Sequence, residues 1–345
     1  MKLKIIQLFI VLALFSLLFS SCVGRRDSSI PAIHVSNFNG TIYRYDWETL
    51  KISSQAFVGP GLVRMAFDDE GRHLYAIRPD KHTLAAINAQ TYAIEKKVIL
   101  DEKPGDIAYL YGSAKLYIAL PALKAITILS VPSFKLAGTI KLNSFPDRLV
   151  SSPDGSRLYV VAGAEEDSPP ESLIAIDAKT GTLVGEVKLL KDWHELAITK
   201  LGDHAYVSNR TSGSITVVNL NNFKVENTFE NITRRSFPDG TVGDVAISPK
   251  SEYLYFCDDQ SNYIRVIDLS DGEIAKEITV DPNITNLYMS RSGEYLISVF
   301  TGYLGIDVPY KGSGLISIID TASWKVTKKF EIENGGFSVI LSPPL

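Results

Sequence analysis

Between Leu62 and Leu345 the chain repeats itself about every 42 to 50 residues, and each copy reads as strand, tight turn, strand, loop, strand, turn, strand. The clearest copies are Asp244–Phe256 followed by Ile264–Asp268, and Arg148–Val161 followed by Leu173–Asp177. A four-stranded unit of this size cannot bury both of its faces alone, so such repeats close around an axis as blades. Aligning the copies on the residue that ends each third strand gives Asp46, Asn88, Ser130, Asp177, Asn219, Asp268 and Asp320, which is seven units. The expected fold is therefore all-β, a seven-bladed β-propeller of four-stranded antiparallel blades.

The second strands align as His34–Ser36, Leu74–Ala76, Leu116–Ile118, Leu158–Val160, Ala205–Val207, Leu254–Phe256 and Leu296–Ser298. Their alternation of Tyr with aliphatic residues suits strands held between neighbouring blades. The first unit starts at Ile33 with a second strand and has no first one, while Phe337–Pro343 reads as a first strand without a blade. The C-terminal strand is thus expected to complete the first blade and close the ring.

Met1 to Cys22 reads as a processing segment: Lys2 and Lys4 precede an apolar run from Ile5 to Phe19, too short to span a bilayer comfortably, and Ser20 and Ser21 lead into Cys22. These small residues before a cysteine resemble a bacterial lipobox, with Phe19 where a Leu is usual. The resemblance implies diacylation of Cys22 and stable anchoring. The expected organisation is a lipoprotein signal peptide over 1–21, a tether over 22–30 and one propeller over 31–345. Processing removes two lysines and no acid, taking the formal charge from −4 to about −6. A mildly acidic surface without basic runs argues against nucleic acid as a partner. Cys257 is left as the other thiol, in a strand pattern that suits a buried, inert side chain.

The Ser152–Gly155 turn, the Leu158–Val161 strand and third strands ending like Ile267–Asp268 resemble the YVTN-type seven-bladed propellers, over about nine tenths of the chain. Similar propellers include lactonases, quinoprotein amine dehydrogenase β-chains, a haem-carrying reductase domain and many envelope proteins. The resemblance implies the fold and leaves the function open.

In this architecture the first strand of each blade lines a central channel, and the loops fall on two faces. One face carries only short turns, such as Asp68–Gly71 and Ser290–Gly293. The other carries every long insertion: Ala162–Ser172, Asn231–Gly240 and Thr301–Gly314. Aligned first strands put Arg64, Asp106, Arg148, Glu195, Asp244, Asn286 and Ser338 at the channel mouth on the insertion-bearing face, with Ala66, Ala108, Val150, Ala197, Ala246, Tyr288 and Ile340 two residues further along. Such a ring could be an ion-pair collar between blades or a ligand site. Adjacent carboxylates at Glu195 and Asp244 could raise one pKa or bind a divalent cation. Around the mouth the loops offer Arg78, Asp80, Lys81, His82, Asn209, Arg210, Asp258 and Asp259; Arg234 and Arg235 could grip an anion, and Tyr303 and Tyr310 could stack on a sugar or an aromatic ring.

No haem-attachment motif, zinc-protease motif or phosphate loop is present. His194 with Glu195 and Asp244 is the one acid and histidine cluster that could serve general-base or metal-assisted chemistry. The sequence favours an envelope-anchored binding module, without a cofactor, for a protein segment, a glycan or a small anion. Val23 after Cys22 is compatible with outer-membrane sorting. The alternatives are a lactonase-like or lyase-like enzyme using His194, Glu195 and Asp244, and an accessory subunit of a periplasmic redox complex.

Overall fold

Leu74, Tyr75, Ala76 and Ile77 follow one another in a single strand and all are buried, which requires apolar neighbours on both sides of the sheet. The computed structural model supplies them. It describes residues 32–342 except 38, 62–63, 164–169, 190–192, 210–211, 234–240, 260, 281–283, 285, 301–312, 333–334 and 336–337, and the side chains of 170–171, 193–194, 241 and 258–259 are likewise outside the description.

Among the described residues twenty-eight strands form seven four-stranded sheets, and every strand pairs antiparallel with its sheet neighbours. The fold is a seven-bladed β-propeller. Blade 1 runs Ile33–Phe57 and is completed by Ser338–Leu341; blades 2 to 7 run 64–99, 107–141, 145–188, 193–229, 241–279 and 286–332. Among the described residues no helix is long and apolar enough to cross a membrane.

The core is a set of layers between blades. Tyr75, Ile77 and Leu84 of blade 2 pack with Leu116 and Ile118 of blade 3, and Tyr117 and Ile126 of blade 3 pack in turn with Leu158 and Val160 of blade 4. Each large side chain buried this way contributes roughly 1.5–3 kcal/mol. At the seam, Ile33 pairs with Leu341 and Ser36 with Ser338. The Ala32 amide donates to Ser342 Oγ at 2.9 Å and the Ser342 amide to the Ala32 carbonyl at 3.0 Å. The expected C-terminal closure is present.

One alignment is corrected by a residue. The sequence pattern set Val35 of blade 1 against Tyr75, but pairing places His34 opposite Ile340 just as Tyr75 stands opposite Ala66. His34 therefore takes the tyrosine position and faces blade 2, edge-on to Phe67 at 4.8 Å and hydrogen-bonded through Nδ1 to the Tyr92 hydroxyl. Burial lowers its pKa to about 3, so it is a neutral core residue.

The residues that ended the third strands are turn formers. Asp46 Oδ1 accepts the amides of Glu48 and Thr49, and Asp177 Oδ1 those of Lys179 and Thr180, each at 2.8–3.1 Å. Four positions on, every blade turns left-handed: at Gly in blades 4 and 6, with φ 72° and 80°, and at Leu50, Tyr92, Phe134, Phe223 and Trp324 in the others. A left-handed Leu or aromatic residue is strained by about 1 kcal/mol or more. Packing opposes that strain: Tyr92 is buried with the blade 1 and 2 core, and Trp324 meets Tyr253 edge to face at 5.5 Å. Gly155, at φ 69°, is required by close approach, since a Cβ there would stand 2.1 Å from the Tyr111 carbonyl oxygen of the neighbouring blade.

Candidate functional site

The seven residues expected at the channel mouth occupy equivalent places. Arg64 pairs with Ile77, Arg148 with Val161, Asn286 with Val299 and Ser338 with Ser36, each two residues before the position opposite Tyr75 or its counterpart. In blades 4, 5 and 6 the first strand is irregular at this point, with register shifts between Pro146 and Arg148, Trp193 and Leu196, and Val242 and Val245. A bulge adds a residue to one strand and re-aims the side chain beside it. Arg148, Glu195 and Asp244 all sit at such bulges, on three consecutive blades.

Small side chains of the second strand hold two of these bulges. Ser208 Oγ accepts the Glu195 amide at 3.0 Å and donates to the Glu195 carbonyl at 3.3 Å. Cys257 occupies the equivalent position in blade 6: its Sγ accepts the Asp244 amide at 2.9 Å and donates to the Asp244 carbonyl at 3.6 Å. Ser36 Oγ makes the matching bond to the Ser338 carbonyl at 3.5 Å. Cys257 is fully buried, as its strand pattern led one to expect, and its thiol makes the contacts that Ser208 makes in blade 5. A small polar residue two places after the second-strand tyrosine is the sequence signal for these contacts.

The ring residues interact two by two. Arg64 Nε lies 3.9 Å from Asp106 Oδ1, linking blades 2 and 3, and Arg148 Nη2 lies 2.6 Å from Glu195 Oε1, linking blades 4 and 5. The Asn286 side chain hydrogen-bonds to Asp244, linking blades 6 and 7. The two aspartates also clasp the next blade by its backbone. Asp106 Oδ2 accepts the Leu149 amide at 2.9 Å, and Asp244 Oδ2 accepts the Leu287 amide at 2.8 Å. Both bonds span 43 residues, one repeat. Between blades 5 and 6 no pair forms among the described residues; there the charge of Glu195 opposes ionisation of Asp244.

Burial raises the Asp106 pKa to about 6 against the opposing pull of Arg64 and of the Leu149 amide. Burial raises Asp244 well above the usual carboxylate range, and Glu195 adds to the shift while the Leu287 and Val245 amides oppose it. One layer down, Tyr288 is also pushed upward, first by burial and then by the charges of Asp244 and Glu195. Its hydroxyl accepts the Val339 amide at 3.5 Å, reaching blade 1.

Several loop residues proposed for the mouth are engaged elsewhere. Arg78 donates to the carbonyls of Val58 and Pro60 and lies 3.3 Å from Asp80, so it ties blade 2 to the connection leaving blade 1. Asn209 is fully buried and donates to Thr216 Oγ1 at 2.9 Å. His82 Nε2 lies 3.9 Å from Glu102. The backbone of His194 belongs to the first strand of blade 5, and Asp258 and Asp259 end the second strand of blade 6; their side chains lie outside the described residues. So do Arg210, Arg234, Arg235, Tyr303, Tyr310 and Cys22 altogether. Among the described residues no group of three or more His, Cys, Asp or Glu is placed to hold a metal ion.

Solved structures resemble this chain in fold. Hydrazine synthase of Kuenenia stuttgartiensis matches with a TM-score of 0.70 at 16% identity, over 86% of this chain and 93% of that one. A protein from Lactobacillus plantarum matches with a TM-score of 0.68 at 14% identity, over 90% and 99%. The Cps50 (Swd1) β-propeller domain of Myceliophteria thermophila gives 0.64 at 14%, over 79% and 90%. The shared property is the propeller. At such identities the likeness carries no activity or ligand across. No protein-family model matches the chain, and no curated protein sequence matches it.

Proposed function

We propose that this protein is a non-enzymatic binding module, anchored through Cys22 on the cell-envelope side of a bacterial membrane, whose insertion-bearing face holds a protein segment or a glycan. The observation that carries the reading is the engagement of the channel-mouth charges between blades: Asp106 and Asp244 accept neighbouring backbone amides, and Arg148 is spent on Glu195. A carboxylate fixed as a structural acceptor is poorly placed to collect and release protons or to turn towards a substrate. The likeness to hydrazine synthase concerns fold and does not favour the redox-subunit alternative.

The test is a comparison of wild type with a Glu195→Gln, Asp244→Asn double variant. Peptide and glycan arrays are expected to give the same binding profile for both proteins, and a panel of lactones and sugar acids no turnover by either. Turnover by wild type that the double variant lacks, with or without added divalent cation, would replace this reading with the enzyme built on His194, Glu195 and Asp244. Mass spectrometry of the mature N-terminus checks the anchor separately, with a diacylated Cys22 expected.

A further inference from the structure

The face of short turns is divided by charge and polarity. On blades 3 to 5 it carries Lys115, Lys135, Lys179, Lys200 and Lys224, each at a turn or at a strand end on that face. Among the described residues none of Lys115, Lys135, Lys200 and Lys224 forms an ion pair. The acids nearby are committed to their own turns: Asp154 to Ser152 and Ser156, Asp177 to Thr180, Asp203 to Thr199 and His204. On blades 2, 6 and 7 acids outnumber bases there, with Asp68, Asp69, Glu70, Asp268, Asp271, Glu273, Glu294 and Asp320 against Arg72, Lys250, Arg291 and Lys325.

Apolar side chains stand out among the same lysines. Leu201, at the tip of the inner turn of blade 5, is 86% exposed, and Leu136, where the outer strand of blade 3 begins, is 67% exposed. Tyr111, Leu183, Val184 and Val225 add to them on the same three blades. Exposed aliphatic and aromatic residues set among lysines are the composition of a surface that lies on anionic headgroups.

The chain also arrives on this side. The strand Ile33–Ser36 begins beside Leu341, at the end of the channel away from the ring, so Ala32 emerges on the short-turn face at blade 1. Nine residues, Arg25 and Arg26 among them, lie between it and Cys22, and the ten Cα-to-Cα steps reach at most about 35 Å. Blades 3 to 5 lie across the ring from blade 1. A bilayer held at Cys22 meets the basic, apolar sector of the same face.

We infer that the short-turn face of blades 3 to 5 docks on an anionic phospholipid bilayer, so that the channel mouth and its insertions point away from the membrane. The orientation rests on the anchor reading above; the lysine and apolar surface stands apart from it. A lipid surface then supplies the partner for the short-turn face, and the opposite face is left free for the ligand.

The experiment uses the full chain reconstituted into vesicles of equal parts phosphatidylglycerol and phosphatidylcholine, with an environment-sensitive fluorophore on Leu201→Cys or on Leu123→Cys. Leu123 is exposed on the mouth side of blade 3, and the buried Cys257 does not react. Lipid-borne nitroxide is expected to quench the label at 201 and spare the one at 123. Quenching at 123, or at neither position in a preparation whose mass confirms acyl chains on Cys22, overturns the docking while the anchor stands. If the mass shows no acyl chains the anchor reading fails, and co-sedimentation of that unlipidated chain with the same vesicles decides the surface. Binding that falls roughly a hundredfold on Lys115→Gln, Lys200→Gln, Lys224→Gln together supports the docking, since each lysine near an anionic surface adds about 1 kcal/mol. Absence of binding, or binding indifferent to the three lysines, overturns it.

Discussion

Carboxylates of the outer turns and of the channel mouth do different work. On the short-turn side, Asp46, Asp177, Asp268 and Asp320, which end third strands, each accept amides from residues two or three places on, so these outer turns are closed within themselves, while Asp69 of an inner turn reaches ahead to the Gly112 amide of the next blade at 2.8 Å. At the channel mouth, Asp106 and Asp244 reach one blade ahead to a backbone amide, and Arg148 reaches to Glu195. The first group is exposed, and hydrogen bonds hold it below the usual carboxylate pKa; the second is buried and held above it. Residues that recur in every repeat therefore specify the blade, whereas residues that vary between repeats fix how one blade meets the next and shape the mouth.

The sharpest way to break this contrast is to remove the ring closure on which both faces depend. Deletion of residues 337–345 takes away Ser338–Leu341, leaves the strand Ile33–Ser36 as an open edge and uncovers the layer that includes Val339. Loss of the cooperative melting transition and aggregation are expected, read by calorimetry and light scattering. A truncated chain that melts like wild type and stays monodisperse would mean that neither face needs the seam.

Acid titration separates the faces next. Asp106 binds its proton more tightly in the folded state, at about 6, than in the unfolded chain near 3.8. Its stabilising contribution is therefore present below about pH 4 and is lost as pH rises through 6, on the order of 3 kcal/mol. The turn aspartates have the opposite sign, because their lowered folded pKa values support stability above the unfolded value and lose it as pH falls further. Asp106→Asn keeps an acceptor for the Leu149 amide and removes the charge. Urea unfolding of the variant is expected to show a shallower decline between pH 4 and 6, the share contributed by Asp244 remaining, while keeping the loss of stability at lower pH. A variant whose profile overlays wild type over that upper interval would show that Asp106 is not the titrating group.

The blade count, the C-terminal closure and the ring positions were readable because each leaves a side-chain signature at a fixed period. Asp106 and Asp244 were placed correctly at the mouth, yet their principal partners, the amides of Leu149 and Leu287, have no identity in a sequence. The bulges at Arg148, Glu195 and Asp244 were hidden for the same reason, although Ser208 and Cys257 mark two of them from the facing strand. The shift at His34 had a different cause. A histidine replaces the tyrosine used as the alignment mark, and its neighbour Val35 fits a buried strand equally well.

The mildest test asks whether the turn carboxylates are as local as their hydrogen bonds suggest. Asp46→Ala removes an acceptor that serves the amides of Glu48 and Thr49 and the Thr49 hydroxyl, all exposed enough for water to take over. A fall in melting temperature of roughly 2 °C is expected, the response of a domain this size to about 1 kcal/mol. The change should stay within blade 1, so amide exchange in blades 3 to 6 and at Leu287 of blade 7 is expected to match wild type. Faster exchange at Leu149 or Leu287, the amides clasped at the opposite face, would mean that turn and mouth are coupled through the blade, and the division of labour between the two sets of carboxylates would not hold.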